Sequence, residues 1–381
     1  MEYATDDLAR TFVGNSGYDS YTKLLLKGDG SGQTVIDSAL GKSITVVGAS
    51  MTQSAAQKMF GAGSLYFDGA GDYLTTPDHA DWQFGTGNFT LDFWVRFSTV
   101  AQQVCFFMQY AGGNDYWRFS WAVATSTLRF YFVTGGTVRA DFNCPFSPSI
   151  NTWYHITVVR NGSTCLMMVD GDSKTVTTVT AFNGNLNCAG SVLYIMSYAG
   201  DGTRELLGYI DELRVSKGIA RWTGSFTKPA VPYARLFDAY SEATIKQEGS
   251  YSLKGIAPIT TSLNKTLTRT VSPTINLTDK TIIKFDIRAS RTGANIKIGI
   301  HDSGGTTTEI TPTIVTADTW QTVVWDISAV ANAIDSIIVT IVNADAENTF
   351  YIDNMFGDVI QNYLIHRGRD RFRTAGISLG N

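Results

Sequence analysis

Apolar and polar residues along this chain alternate with a period of two. In DYWRFSW, residues 115–121, Trp117, Phe119 and Trp121 fall on one side of an extended segment, and similar runs recur at 151–160 (NTWYHITVVR) and 318–327 (DTWQTVVWDI). Successive side chains of a strand point to opposite faces, so this period predicts strands with one buried face. The runs are short and separated by Gly, Asn and Asp turns, and no long stretch keeps a helical period. The expected class is all-β, with two tandem antiparallel β-sandwiches of the jelly-roll type and extended terminal arms.

Two sandwiches are expected because three landmarks appear twice in the same order. GSLYFDG (63–69), NTWYHITVV (151–159) and YIDELRV (209–215) are followed by GSYSLKG (249–255), DTWQTVVWDI (318–327) and YIDNMFG (351–357). Each set supplies an early strand, a central strand opened by Thr-Trp, and a closing strand. Strict alternation in YIDELRV would put Tyr209, Asp211, Leu213 and Val215 on one face. A carboxylate among such neighbours needs turn amides, a hydroxyl or a cation, since an unpaired buried polar group costs about 1–3 kcal/mol. Asp211 and Asp353 are therefore expected either to hold a loop by accepting backbone N–H groups or to bind a structural calcium ion. Between the halves, KGIARWTGSFTKPAVPY (217–233) loses the alternation and reads as a strap pinned by Ile219, Trp222 and Phe226, followed by a linker. The expected organisation is an N-terminal arm (1–22), a first sandwich (23–233), a second sandwich (234–358) and a basic tail (359–381).

Composition sharpens this picture. With 381 residues, 44% of them hydrophobic and 17% charged, the chain can bury more than one core. A formal net charge of −4 offers no overall attraction for nucleic acid or an anionic membrane. The acidic start MEYATDDLAR lacks the basic flank and apolar run of an export signal, and no stretch is long and apolar enough to span a bilayer. The four cysteines, Cys105, Cys144, Cys165 and Cys188, match no zinc spacing. They read as reduced thiols, with a Cys144–Cys188 bridge as the alternative.

The motifs GSLYFDGAGDYL (63–74), FGTGNFTLDFWVRF (84–97), NTWYHITVVRNGSTCLMMVDG (151–171) and YIDELRVSKGIARWTGSFTKP (209–229) resemble the laminin-G-like, concanavalin A-like jelly roll. The form ending in KGIARWTGSFTKP is similar to those in bacteriophage tail and virion proteins. The second half, through EGSYSLKG, TWQTVVWDIS and NTFYIDN, resembles the galactose-binding-like jelly roll of carbohydrate-binding modules. In several of these the closing-strand Asp, here Asp353, helps bind calcium. The resemblance implies a virion protein made in a host cytoplasm, with other virion proteins and copies of itself as partners and host glycan as a ligand. A secreted lectin or accessory module of a glycan-active enzyme is the alternative.

An enzyme is not expected. Glucanases share the fold, but hydrolysis by two carboxylates needs a pair held across a cleft, and there is no E-x-D-x-E run. The histidines are scattered, and His155 reads as a packed residue. For glycan binding the candidate stretch is AGGNDYWRFSW, with Asn114, Asp115, Tyr116 and Trp117, joined by Tyr198, Asp201 and Arg204 from SYAGDGTRE. Trp117 is also a core candidate, because it alternates with Phe119 and Trp121. In the tail, Arg367, Arg369, Arg371 and Arg373 recur at period two, which on a strand forms a ladder suited to an assembly contact.

Overall fold

The computed structural model describes residues 17–188, 190–259, 261–327 and 333–359. The Arg367–Arg373 ladder and the acidic start lie outside the described residues. The described chain is all-β, with one short 3-10 turn at Ala80–Trp82.

Two cores form. The first, from Leu24 to Val215, is dense in aromatics, with Phe67, Phe93, Phe106, Trp117 and Phe130 all shut off from solvent. The second, from Ala239 to Ile352, is largely aliphatic, built on Ile287, Ile298, Val339 and Ile341 around Phe285 and Phe350. Each lies between two antiparallel sheets. In the first domain one sheet runs Ser64–Asp68, Leu207–Lys217, Phe89–Phe97, Trp153–Asn161, and Thr22–Leu26 also pairs with the closing strand Leu207–Lys217. The second domain repeats this neighbour order with Ser252–Ala257, Asn348–Asp358, Ile282–Ala289 and Gln321–Asp326. Gly17–Tyr18 pairs in parallel with Ala234–Arg235, so the end of the expected arm is stitched to the first residues of the expected second sandwich.

The Tyr-Ile-Asp echo has a common cause. Asp211 Oδ2 accepts from the amides of Met59 and Phe60, each at 3.0 Å, and Oδ1 accepts from Glu212 N at 2.8 Å. Asp353 Oδ2 accepts from Gln247 N at 2.6 Å and Glu248 N at 3.1 Å, and Oδ1 from Asn354 N at 2.7 Å. The other end of each turn is tied by a fully buried serine: Ser64 Oγ donates to Gln57 O at 2.5 Å, and Ser252 Oγ to Ile245 O at 2.6 Å. The matching residue is thus Ser252, two beyond the Gly249-Ser250 pair that the sequence suggests. After each Asp the backbone turns left-handed, at Glu212 (φ 48°) and Asn354 (φ 49°). The register slips there against the neighbouring strand, which is a β-bulge.

That bulge corrects the face assignment. Ile210, Leu213 and Val215 enter the core, whereas Tyr209 stays half-buried against Tyr66 on the opposite side. The inserted residue resets the parity of the strand, which simple alternation cannot foresee.

On the outer face of the first domain's closing-strand sheet, the strap covers a buried ionic network. Arg214 pairs with Asp92 through Nε (3.0 Å) and Nη2 (3.2 Å), and Tyr233 Oη donates to Asp92 Oδ2 at 2.5 Å. His155 Nε2 lies 3.1 Å from Tyr233 Oη and is wholly buried. Arg221, on the strap itself, pairs with Asp19 at 2.8 Å. Trp222 stacks on Phe226 with centroids 4.1 Å apart, and both edge onto His155. The third apolar contact of this cluster comes from Ala220 rather than Ile219, whose carbonyl instead accepts from Thr90 Oγ1.

Candidate functional site

The second sheet of the first domain carries a cationic, aromatic groove on its outer face. The strand Asp115–Ala122 sends Trp117, Phe119 and Trp121 inward, so Tyr116, Arg118 and Ser120 face out. Its neighbour Thr127–Thr134 adds Arg129 and Tyr131, with Tyr131 opposite Arg118 and Arg129 opposite Ser120. The loop after Leu193–Ile195 closes one wall with Tyr198 and Arg204. The enclosed volume is about 230 Å³, lined also by Gln103, Val104 and Ala122.

Arg118 is held by tyrosines. Its Nη1 donates to Tyr198 Oη at 3.2 Å, and its guanidinium lies 5.3 Å from the Tyr131 ring and 5.4 Å from the Tyr198 ring. Arg204 sits 3.7 Å over the other part of this wall, the Tyr198 ring. These are cation–π distances, which fix a guanidinium without neutralising it. The third arginine differs: Arg129 is held bidentately by Asp141, at 2.8 and 2.7 Å. The wall loop adopts left-handed backbone at Met196 (φ 64°), Ala199 (φ 55°) and Arg204 (φ 61°), none of them glycine. Such conformations cost of order 1 kcal/mol each and cluster at functional sites.

The expected glycan-binding residues divide. Tyr198 and Arg204 line the groove, and Tyr116 stands beside it, 5.9 Å from Arg118. Trp117 is 0% exposed, packed 5.2 Å from Phe84 with Nε1 donating to Gln109 Oε1, so it cannot be a stacking platform. It belongs to the inward parity of its strand. Asp115 is spent on a turn, accepting from Thr134 Oγ1 (2.9 Å) and Gly135 N (2.8 Å). Asn114 is exposed at that same turn, and Asp201 accepts from Thr203 N in its own loop. Arg118, Ser120, Arg129 and Tyr131 are new to the site. For Arg118 and Ser120 the signal was the polar complement of the Trp117, Phe119, Trp121 stripe, and for Arg129 and Tyr131 that of Leu128, Phe130 and Phe132 on the next strand.

The calcium expectation meets a poor donor set at both closing-strand aspartates. Each carboxylate faces three amide N–H groups, which present positive partial charge where a cation would need carbonyl oxygens. Among the described residues no group of three His, Cys, Asp or Glu side chains could hold a metal ion. Burial pushes Asp211 and Glu212 each up to about 7. In the network beneath the strap, Asp92 is buried, yet Arg214 and His155 draw it down to about 2. All four cysteines are free and buried, Cys144 and Cys188 included, and burial raises Cys105 and Cys144 to about 12 and Cys188 to about 11. Asp68, Asp72 and Glu205 meet at the 69–71 turn, with Ala70 N donating to Asp68 and Gly71 N to Glu205. Burial, with the neighbouring acids, raises Asp72 and Glu205. No helix among the described residues is long and apolar enough to cross a membrane.

Residues 68–220 match the family model Laminin_G_3, described as the concanavalin A-like lectin/glucanases superfamily. No curated protein matches the chain in sequence. Among solved structures, domain 4 of an extracellular arabinanase from Geobacillus stearothermophilus, in complex with arabinotriose, is similar at 13% identity and TM-score 0.42, over 53% of this chain and 95% of that one. The binding domain of botulinum neurotoxin serotype G is similar at 10% identity and TM-score 0.41, over 86% of this chain and 97% of that one. Trypanosoma rangeli sialidase is similar at 14% identity and TM-score 0.38, over 54% of this chain and 32% of that one. The stretch matched to the family model contains the whole groove.

Proposed function

We propose that this chain is a non-catalytic structural and adhesion protein of a bacteriophage particle, and that its first domain holds host-surface glycan in the groove of Arg118, Tyr198 and Arg204. The observation that carries the adhesive part is the groove itself. Tyr198 offers an aromatic wall, with Tyr116 beside the groove, while guanidinium, Ser120 hydroxyl and Gln103 amide groups offer hydrogen bonds to sugar oxygens. At about 230 Å³ it falls below the roughly 300 Å³ of an ordinary ligand cleft, which suits one ring of a longer polysaccharide. The particle part rests on the strap KGIARWTGSFTKP, with its Trp222–Phe226 stack, and its resemblance to phage virion proteins. The termini would contact other virion proteins or further copies of the chain.

The test uses the full-length protein on polysaccharide extracted from host cells. Retention should fall at least about ten-fold in an Arg204→Ala, Tyr198→Ala double variant of unchanged thermal midpoint. Soluble protein should also compete with particle adsorption to the cells. Equal retention of the double variant overturns the groove, and absence of the chain from purified particles overturns the virion assignment in favour of a free lectin or accessory module.

A further inference from the structure

We infer that the groove selects an acidic sugar, whose carboxylate is received between Arg118 and Arg204. This rests on the glycan reading above and adds the ligand's charge class to it.

The argument is one of charge balance. Three arginines line the groove and no Asp or Glu does. Asp141 neutralises Arg129, accepting from Nε and Nη2 along one edge of the guanidinium. Among the described residues neither Arg118 nor Arg204 makes an ion pair; their partners are the Tyr198 hydroxyl and tyrosine rings. Both guanidinium groups lie within 5.4 Å of the one Tyr198 ring, so they flank a single aromatic wall. Two half-buried cations gathered on one ring repel each other, and an anion that reaches both relieves that repulsion. Of the loop acids, Asp201 is exposed with its Oδ1 engaged by Thr203 N within its own turn, and Glu205, next to Arg204, is buried and accepts from Gly71 N away from the groove lining.

The geometry favours a carboxylate in particular. Guanidinium presents parallel N–H donors that match the two oxygens of a planar carboxylate, and clamping on tyrosine rings removes part of the rotamer freedom that binding would otherwise cost. The left-handed backbone at Arg204 sets that side chain over Tyr198 at a conformational cost. A sugar carrying a ring carboxylate, uronic or nonulosonic, supplies the anion together with hydroxyls for Ser120 and Gln103.

The closing experiment measures binding of the full-length protein to polygalacturonate, to its carboxyl-reduced polymer, and to a sulfated dextran. Polygalacturonate should bind, and carboxyl reduction should weaken binding by about ten-fold or more, the worth of a charge-assisted hydrogen bond. Raising salt from 50 to 500 mM should weaken it as well. Arg118→Gln and Arg204→Gln should each lower affinity for the acidic polymer, whereas Arg139→Gln, on the same sheet but outside the groove, should not. Equal binding of the reduced polymer overturns the acidic-sugar inference and leaves the glycan reading standing. Loss of both polymers together with all host polysaccharide overturns the two at once. Sulfated dextran binding as tightly as polygalacturonate, with both Gln variants unchanged, identifies plain charge attraction and also overturns the inference.

Discussion

The two sandwiches share a frame and differ in what covers it. In both, a closing-strand aspartate takes three amide hydrogen bonds, a buried serine ties the far end of the same turn, and a left-handed residue bulges the strand. On the outer face of that frame, the first domain buries Asp92, Arg214, His155 and Tyr233 beneath a strap. In the second domain the corresponding face carries Lys254, Arg288 and Trp320 gathered around Tyr351. The comparison separates two jobs: the aspartate frame shapes the sandwich, and the ionic network fastens the strap.

The largest expected effect comes from breaking that network on one side. Arg214→Met leaves Asp92 as an uncompensated buried charge, which costs about 3–5 kcal/mol. In denaturant unfolding of the whole chain, the transition of the first domain should move while that of the second stays. Movement of both would show that the strap couples the domains.

The shared frame comes next. Asp211→Ala and Asp353→Ala each remove a buried carboxylate that pins three amides of a turn and bulge, for an expected loss of about 3 kcal/mol in the domain concerned. Adding a chelator should leave both transitions in place. A selective drop of the second would return a cation to Asp353.

Acid and neutral pH should act on the first domain with opposite signs. Asp92 is held at about 2, below its unfolded value, so its contribution is present above about pH 4 and is lost as pH falls toward 2, by about 2 kcal/mol. Asp211 and Glu212 are raised to about 7, so their protonated forms favour the fold, and that part of the stability is lost as pH rises from about 4 through 7. Unfolding midpoints against pH should therefore pass through a maximum, and Glu212→Gln should flatten the neutral side.

The smallest effect is expected at the 69–71 turn. Glu205 is 1% exposed and raised by burial and by Asp201, Asp72 and Asp68, while its Oε1 has no hydrogen-bond partner. Glu205→Gln keeps an acceptor for Gly71 N and removes the charge, so a gain of about 1 kcal/mol is expected in thermal unfolding at pH 7. A loss would mean that the carboxylate itself holds the turn.

Much of this was legible in the chain. Period-two alternation and turn residues determine an all-β fold, because strand parity is a local property of the backbone. The recurrence of Tyr-Ile-Asp pointed to two related closing strands, and the aromatic spacing of the strap pointed to its docking. What only the tertiary structure decided depends on partners far away in sequence. The bulges at Glu212 and Asn354 reset parity, because the amides that fix each preceding aspartate come from a turn more than a hundred residues earlier. Trp117 proved to be core and Arg118 site, since alternation says that two neighbours face apart but not which of them meets the opposite sheet. The groove itself joins Arg118 to Tyr198, 80 positions apart. Charge balance between such positions exists only once the sheet and its loop are in place.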